Sequence, residues 1–184
     1  MPDNDVRYTG TAIGLHWLLG LALVGTFSVG IYMHELPMSP QRLKLYNWHK
    51  WAGIVILGLS LARLAWRLTH PPPADVPMPA WQGRAMHLTH RAMYVLFLAV
   101  PLAGWAYSSA SGFPVVLFGK LPLPDFVPVD RALAETLKQT HALLAITLAV
   151  LALLHVAAAL KHHWIDRDGL LHRMVPALRS RRQP

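Results

Sequence analysis

The sequence predicts an all-α protein, an integral membrane bundle of four helices, and three observations lead to that prediction. Of the 184 residues, 54% are hydrophobic and 14% are charged, whereas an average soluble domain is about 25% charged. The chain contains four apolar segments, each near the length of about 20 residues that a helix needs to cross a bilayer. It contains no cysteine, which excludes disulfides, iron–sulfur clusters and zinc sites built from thiolates.

These segments set the expected organisation of the chain, which we treat as a single membrane domain over residues 1–184. The expected membrane spans are residues 12–33, 48–66, 92–110 and 141–160. Residues 71–81 are rich in proline and predict an extended linker between the second and third spans. Residues 111–130 are also rich in proline and predict a long outer loop between the third and fourth spans.

The distribution of basic residues predicts the orientation of the bundle. The formal net charge is +8, and with so few charges overall this excess indicates basic loops of a membrane protein rather than a nucleic-acid-binding surface. Lysine and arginine are more numerous on the side that carries the N-terminus, the 71–81 linker and the C-terminal tail. Cytoplasmic loops carry such an excess. We therefore expect both termini in the cytoplasm, membrane lipid as a partner, and no nucleic acid.

Histidines inside the apolar spans lead to the functional prediction, because an ionisable side chain in a membrane is costly unless it binds something. His141 and His155 lie fourteen residues apart in the fourth span. At about 100° and 1.5 Å per residue, they project from one face of the helix and are separated by about 21 Å. This spacing suits two stacked haem groups, one in each leaflet.

Each haem iron then needs a second axial ligand from another helix. The first span starts inside, so His16 is expected at the inner level, opposite His155. The second span starts outside, so His49 is expected at the outer level, opposite His141. A zinc site fits less well, because zinc requires three or four ligands in one cluster.

A small residue follows each of these four histidines after one helical turn: Gly20, Gly53, Ala145 and Ala159. A porphyrin that lies against a helix needs that turn to be free of bulky side chains. The alternative interpretation is that small residues promote close packing of membrane helices.

Four further histidines gather at the inner ends of the third and fourth spans and are candidates for a quinone site: His87, His90, His162 and His163. A quinone takes up protons on reduction, and imidazoles can relay them. The alternative is that these histidines are ordinary polar residues of the membrane interface. We expect His34, His70 and His172 to be exposed to solvent.

Several longer motifs are specific enough to suggest a family. They are AIGLHW at 12–17, WHKWAG at 48–53, RLAWRL before the linker, HLTHRAMYVLFLAVPLAGW at 87–105 and LLHVAAALKHHWIDRDGLLHRMVP at 153–176. On these motifs the chain resembles the bacterial cytochrome b561 family over nearly its whole length. The resemblance implies a four-helix protein of the bacterial inner membrane that holds two haem b groups. It also implies the same axial ligands to haem iron: His16, His49, His141 and His155.

Within that family, the short stand-alone form of the chain is similar to bacterial superoxide oxidases. This similarity implies an oxidoreductase that passes electrons from superoxide to ubiquinone. The alternative is a relay or subunit that exchanges electrons between the quinone pool and a periplasmic redox partner. A membrane scaffold in which haem is only structural is a further alternative.

Two lysines are candidates for steering superoxide to the outer haem. Lys50 adjoins His49, and Lys138 precedes His141 by three residues. Their positive charges would concentrate a small anion at the outer surface. The alternative is that they are solvated loop charges, partly neutralised by nearby carboxylates.

Overall fold

Four long helices form most of the fold in this computed structural model, which describes residues 7–175. They are α1 (Gly10–Glu35), α2 (Pro40–Thr69), α3 (Ala80–Ala110) and α4 (Arg131–Lys161). All four are long and apolar enough to cross a membrane. The ends of the expected 1–184 domain, including part of the basic tail used to predict the orientation, lie outside the described residues.

Local sequence signals explain where these helices begin. The side chains of Thr9, Ser39 and Asp130 accept hydrogen bonds from backbone N–H groups in the first turns of α1, α2 and α4, at 3.3, 3.2 and 2.7 Å. Such caps satisfy donors that have no partner inside a helix. α3 has no side-chain cap and instead follows Pro79 directly.

The helices pack in chain order, with α1 against α2, α2 against α3, and α3 against α4. Among the long helices of the described range, α4 has α3 as its close backbone neighbour. The backbones of α1 and α2 are therefore not closely packed against that of α4, and these helices meet α4 through their side chains. Each helix contributes a buried aliphatic residue to the core: Leu19, Ile56, Leu96 and Leu148.

A short β-hairpin closes one end of the bundle, which we call the hairpin end. Its strands, β1 (Val116–Leu117) and β2 (Leu121–Pro122), pair antiparallel within the segment between α3 and α4. The indole Nε1 of Trp51 donates to the carbonyl oxygen of Val116 at 2.7 Å. This bond attaches the hairpin to α2.

The opposite end, which we call the tail end, carries the segment after α4. A π-helical turn, His162–Asp166, continues α4, and a 3-10 turn, Leu170–Arg173, follows it. Trp17 Nε1 donates to the carbonyl oxygen of Met174 at 2.8 Å, and Arg173 donates to that of Ala74 at 2.6 Å. The tail segment therefore joins α1 to the linker between α2 and α3.

The predicted all-α membrane bundle of four helices is confirmed, with differences at the edges of its elements. The helices extend beyond the expected spans, and the linker ends at Pro79 rather than at residue 81, because α3 begins directly after this proline. Proline has no N–H group and a fixed φ, so the start of a helix accommodates it. The segment 111–130 is non-helical, but its hairpin was not predicted.

Candidate functional site

The structure brings the four predicted histidines together in two pairs. In the α1–α4 pair, the ring centroids of His16 and His155 are 6.1 Å apart and the ring planes are inclined by 73°. In the α2–α4 pair, the centroids of His49 and His141 are 6.0 Å apart and the planes are inclined by 87°. The α1–α4 pair lies toward the tail end and the α2–α4 pair toward the hairpin end.

Both separations suit two imidazoles that share one metal ion. A metal–imidazole bond of about 2.0–2.1 Å, with the ring centroid about 1 Å beyond the nitrogen, places two opposed centroids about 6 Å apart. The turn that follows His16 and His49 is also open, because an added Cβ at Gly20 or at Gly53 would meet nothing within 4 Å. Paired imidazoles beside open helix surfaces fit a haem that two histidines would hold.

A hydrogen bond fixes the orientation of His141. Its Nδ1 lies 2.9 Å from the carbonyl oxygen of Val100 in α3. A carbonyl only accepts, so Nδ1 carries the proton and the lone pair of Nε2 is left for a metal. The α3 backbone can approach this closely because a Cβ at Gly104 would lie 3.0 Å from the His141 ring.

His49 has a corresponding glycine contact on α1. A Cβ at Gly30 would lie 3.2 Å from its Cε1, a distance at which the ring would have to shift. The Nδ1 atom of His49 is buried without a hydrogen-bond partner among the described residues. Glycines of α1 and α3 therefore support the two rings that α2 and α4 supply.

Sequence reasoning missed these glycines, although a spacing signal for them is present. Each long helix carries a pair of residues fourteen positions apart, at the two levels of the histidine pairs. The pairs are His16 and Gly30, His49 and Arg63, His90 and Gly104, and His141 and His155. Two residues that are fourteen positions apart in a helix project from nearly the same face. The level of the α2–α4 pair, which we call the hairpin level, thus combines two histidines with two glycines. The level of the α1–α4 pair, which we call the tail level, combines three histidines with an arginine.

His90 lies at the tail level, beside a histidine of the α1–α4 pair. Its ring centroid is 5.1 Å from that of His155, with the planes inclined by 74°. His87, one turn earlier, instead faces the linker, where its Nε2 lies 3.0 Å from an oxygen of Asp75. The structure therefore separates these two candidate quinone residues.

The other two candidates lie in the π-helical turn. His162 is largely buried, with 13% of its side chain exposed, and its Nδ1 lies 3.1 and 2.5 Å from oxygens of Asp166 and Asp168. The His163 ring packs edge-to-face against that of His172, with centroids 5.6 Å apart. His172 is for this reason half-buried, so its predicted solvent exposure was wrong, whereas His34 and His70 are exposed as predicted.

Both candidate steering lysines lie at the hairpin end. Lys50 Nζ donates to the carbonyl oxygens of Phe113 and Pro114, both at 3.3 Å. Lys138 lies 3.4 Å from an oxygen of Glu135 on the exposed surface of α4. Lys50 is therefore held by the loop beside His49, and the charge of Lys138 is partly neutralised.

Comparison with known proteins identifies relatives over nearly the whole chain. The family model of prokaryotic cytochrome b561 matches residues 7–177. The chain is 33% identical to cytochrome b561 homolog 2 of Escherichia coli K12 over 175 residues, which is 94% of this chain and 93% of that protein. It is 34% identical over 172 residues to cytochrome b561 homolog 1 of the same organism, covering 92% of this chain and 97% of that protein.

A further relative is the probable superoxide oxidase CybB of Yersinia pestis. It is 36% identical over 177 residues, which cover 95% of this chain and 98% of the relative. Together with the four membrane-crossing helices, these matches identify a multi-pass bacterial membrane protein and an oxidoreductase of membrane electron transfer. They also imply haem b as its cofactor. The chain belongs to the prokaryotic cytochrome b561 family.

Proposed function

We propose that this protein is a di-haem b oxidoreductase that takes electrons from superoxide at one membrane surface and delivers them to ubiquinone near the other. The observation that carries the proposal is the presence of two imidazole pairs at two levels of one bundle. The relative named as a probable superoxide oxidase supports the choice of donor.

The four paired histidines would hold the cofactors. His16 and His155 would hold one haem b, and His49 and His141 the other. When bound, haem b supplies reversible one-electron transfer at its iron. Because two histidines would hold each haem, the donor and the acceptor would exchange electrons without binding to the metal. His141 is already oriented for this role by its bond to Val100.

The excess of lysine and arginine in the sequence supports an orientation with the tail end in the cytoplasm. The hairpin end then faces the periplasm, where Lys50 and Lys138 would attract superoxide. The overall reaction balances with two superoxide ions and one quinone. Each superoxide gives up one electron and leaves as dioxygen, while ubiquinone takes up both electrons and two protons and leaves as ubiquinol.

We place the quinone site at the tail end, with His162 as its principal residue and His163, His87 and His90 as alternatives. His162 lies beside two aspartates that reach solvent, so a proton that leaves this imidazole can be replaced from water on that side. His90 lies against His155 and is the alternative closest to the paired histidines.

A second candidate function is an electron relay between the quinone pool and a periplasmic redox protein. The observation that favours it is the similarity to the two cytochrome b561 homologs of Escherichia coli, at 33% and 34% identity. A relay would accept electrons from quinol and from a protein donor, but superoxide would not reduce it faster than superoxide disproportionates.

Haem content tests the assignment of the paired histidines. Pyridine haemochrome analysis of the purified protein should give two haems b per chain. His49→Ala and His141→Ala should each remove one and the same haem, identified by its absorption and midpoint potential. His16→Ala and His155→Ala should each remove the other, and His172→Ala should remove neither.

The pattern of losses decides the pairing. Loss of the same haem from His16→Ala and from His49→Ala would contradict it. Loss of a haem from His90→Ala, with retention in His16→Ala, would assign His90 in place of His16.

A further inference from the structure

Arg63 occupies an unusual position at the tail level of the bundle. It follows His49 by fourteen residues in α2, so it projects from nearly the same helix face about 21 Å closer to the tail end. The same spacing separates His141 from His155 in α4. α2 therefore presents a guanidinium at the level where α4 presents His155.

The contacts of Arg63 direct its side chain toward α3 at the tail level. Its Nε donates to the hydroxyl oxygen of Tyr94 in α3 at 3.4 Å, and its guanidinium carbon lies 5.8 Å from the centroid of the Tyr94 ring. The side chain is half-buried. Its charge lies within electrostatic range of His16, His90 and His155.

This guanidinium has no anionic partner among residues 7–175, since no carboxylate oxygen of that range lies within 4.0 Å of it. A charge inside a membrane bundle is costly unless an opposite charge or water satisfies it. Tyr94 accepts one of the five N–H bonds that an arginine offers. The remaining donors form a fork whose geometry matches a carboxylate.

We propose that Arg63, supported by Tyr94, binds a propionate carboxylate of the haem b that His16 and His155 hold. This inference rests on the proposed function. Haem b carries two propionates, and the tail level is where the structure combines an unpaired arginine with a histidine pair. At the hairpin level, the two helices that supply no ring have glycines, Gly30 and Gly104, facing the paired histidines.

The bound propionate has a consequence for electron transfer. A positive charge close to an iron favours its reduced form, because reduction removes one positive charge from the site. Arg63 therefore raises the midpoint potential of the haem at the tail level. Electrons that enter at the hairpin level are then drawn toward the quinone side.

The anionic group could also come from a lipid phosphate, so the experiment uses holoprotein delipidated in dodecyl maltoside, which contains no phosphate. Spectroelectrochemical titration resolves the midpoint potentials of both haems in wild type, Arg63→Gln, Arg63→Lys and Tyr94→Phe. Arg67→Gln is the matched control, because Arg67 lies one turn further along α2 and is exposed.

Arg63→Gln should lower the reduction equilibrium constant of one haem at least tenfold, which is about 59 mV for one electron. The affected haem should be the one absent from His155→Ala. Arg63→Lys keeps the charge but loses the fork, so its shift should be smaller. Tyr94→Phe should shift the same haem in the same direction, and Arg67→Gln should change neither haem by more than about twofold.

Unchanged potentials in Arg63→Gln, with two haems retained, would overturn the proposal and leave a lipid phosphate as the remaining candidate anion. A shift of the other haem would also overturn it. If Arg63→Gln loses a haem, the midpoint potentials of Arg63→Lys and Tyr94→Phe test the proposal instead. Unchanged potentials in both variants would overturn it. Failure of the proposed function is distinguishable, because it would appear as a wild-type protein that holds fewer than two haems or that superoxide does not reduce.

Discussion

His141 is oriented by α3, a helix that supplies neither ring of the α2–α4 pair. The Val100 carbonyl holds its Nδ1–H, and Gly104 leaves the space that this approach requires. Such a bond selects the tautomer and increases the basicity of the metal-facing nitrogen. Gly104 is thus part of the candidate site, although it has no side chain.

Gly104→Ala should therefore weaken haem binding at the α2–α4 pair. The added Cβ would lie 3.0 Å from the His141 ring, so the ring must move away and its bond to Val100 must lengthen. Overpacking of this kind costs about 1–3 kcal/mol, which corresponds to haem affinity reduced about 5- to 150-fold. Haem titration of the apoprotein measures this loss.

Gly58→Ala is the control for Gly104→Ala, because an added Cβ there meets nothing within 4 Å. It should leave both haem affinities unchanged. Full affinity in Gly104→Ala, or loss at the α1–α4 pair instead, would contradict the role assigned to this glycine.

The lysines at the hairpin end give a second prediction for individual residues. Lys50→Gln with Lys138→Gln should lower the rate of haem reduction by superoxide several-fold and flatten its dependence on ionic strength. Exposed charges are screened over about 10 Å at 0.1 M salt, so the wild-type rate should fall as salt rises. Stopped-flow absorbance at several salt concentrations measures both effects.

Lys161→Gln is the matched change at the tail end, where Lys161 lies 2.6 Å from an oxygen of Asp166. It removes one positive charge far from the hairpin end and should leave the reduction rate unaltered. An equal decrease in the Lys161 variant would indicate a general effect of net charge rather than steering.

At the scale of elements, the tail segment closes the end of the bundle that we assign to the quinone. It joins α4 to α1 through Trp17 and to the linker through Arg173. These bonds position the π-helical turn, and with it His162 between two aspartates. The segment thus brings protonatable groups next to the tail level.

His162→Gln should slow electron transfer to a ubiquinone analogue several-fold and leave the haem spectrum intact. The substitution removes a group that exchanges protons but keeps a polar side chain of similar length. Stopped-flow reoxidation of the reduced protein measures the rate, and His172→Gln serves as the control. Unchanged rates in single variants of His162, His163, His87 and His90 would place the quinone elsewhere.

The elements that could be predicted from the sequence are those whose position is determined by local patterns such as hydropathy. Hydropathy and length located the four helices, because the cost of exposing backbone to lipid leaves few alternatives to a helix. The 116–122 hairpin could not be predicted, since its strands are only two residues long and its contact with Trp51 joins residues distant in the sequence. The extension of α3 back to Ala80 was missed because this part of the helix is polar.

In the candidate site, too, some features follow from local sequence patterns and others depend on contacts between helices. The pairing of His16 with His155 and of His49 with His141 followed from helix direction and residue spacing, and the structure places these rings together. The roles of Gly30 and Gly104, and the contact of Arg63 with Tyr94, emerge only from the packing of the helices. His172 was misplaced because its burial depends on the fold of the tail segment.

At the scale of the whole molecule, the bundle separates two histidine levels with a layer of aliphatic residues. Ile56 and Leu148 are both buried, and each lies midway between the two levels on its helix. The hairpin end carries the candidate steering lysines, and the tail end carries the further histidines. This arrangement suits the transfer of electrons from one surface to the other, while dioxygen and protons do not cross the bundle.

Stopped-flow mixing of the oxidised holoprotein with superoxide, with and without a ubiquinone analogue, tests the central claim most directly. We expect superoxide to reduce the haems faster than it disproportionates. The quinone should then reoxidise them, with one ubiquinol formed for every two superoxide ions consumed. If superoxide reduces the haems no faster than it disproportionates, the account is contradicted and the relay function takes its place.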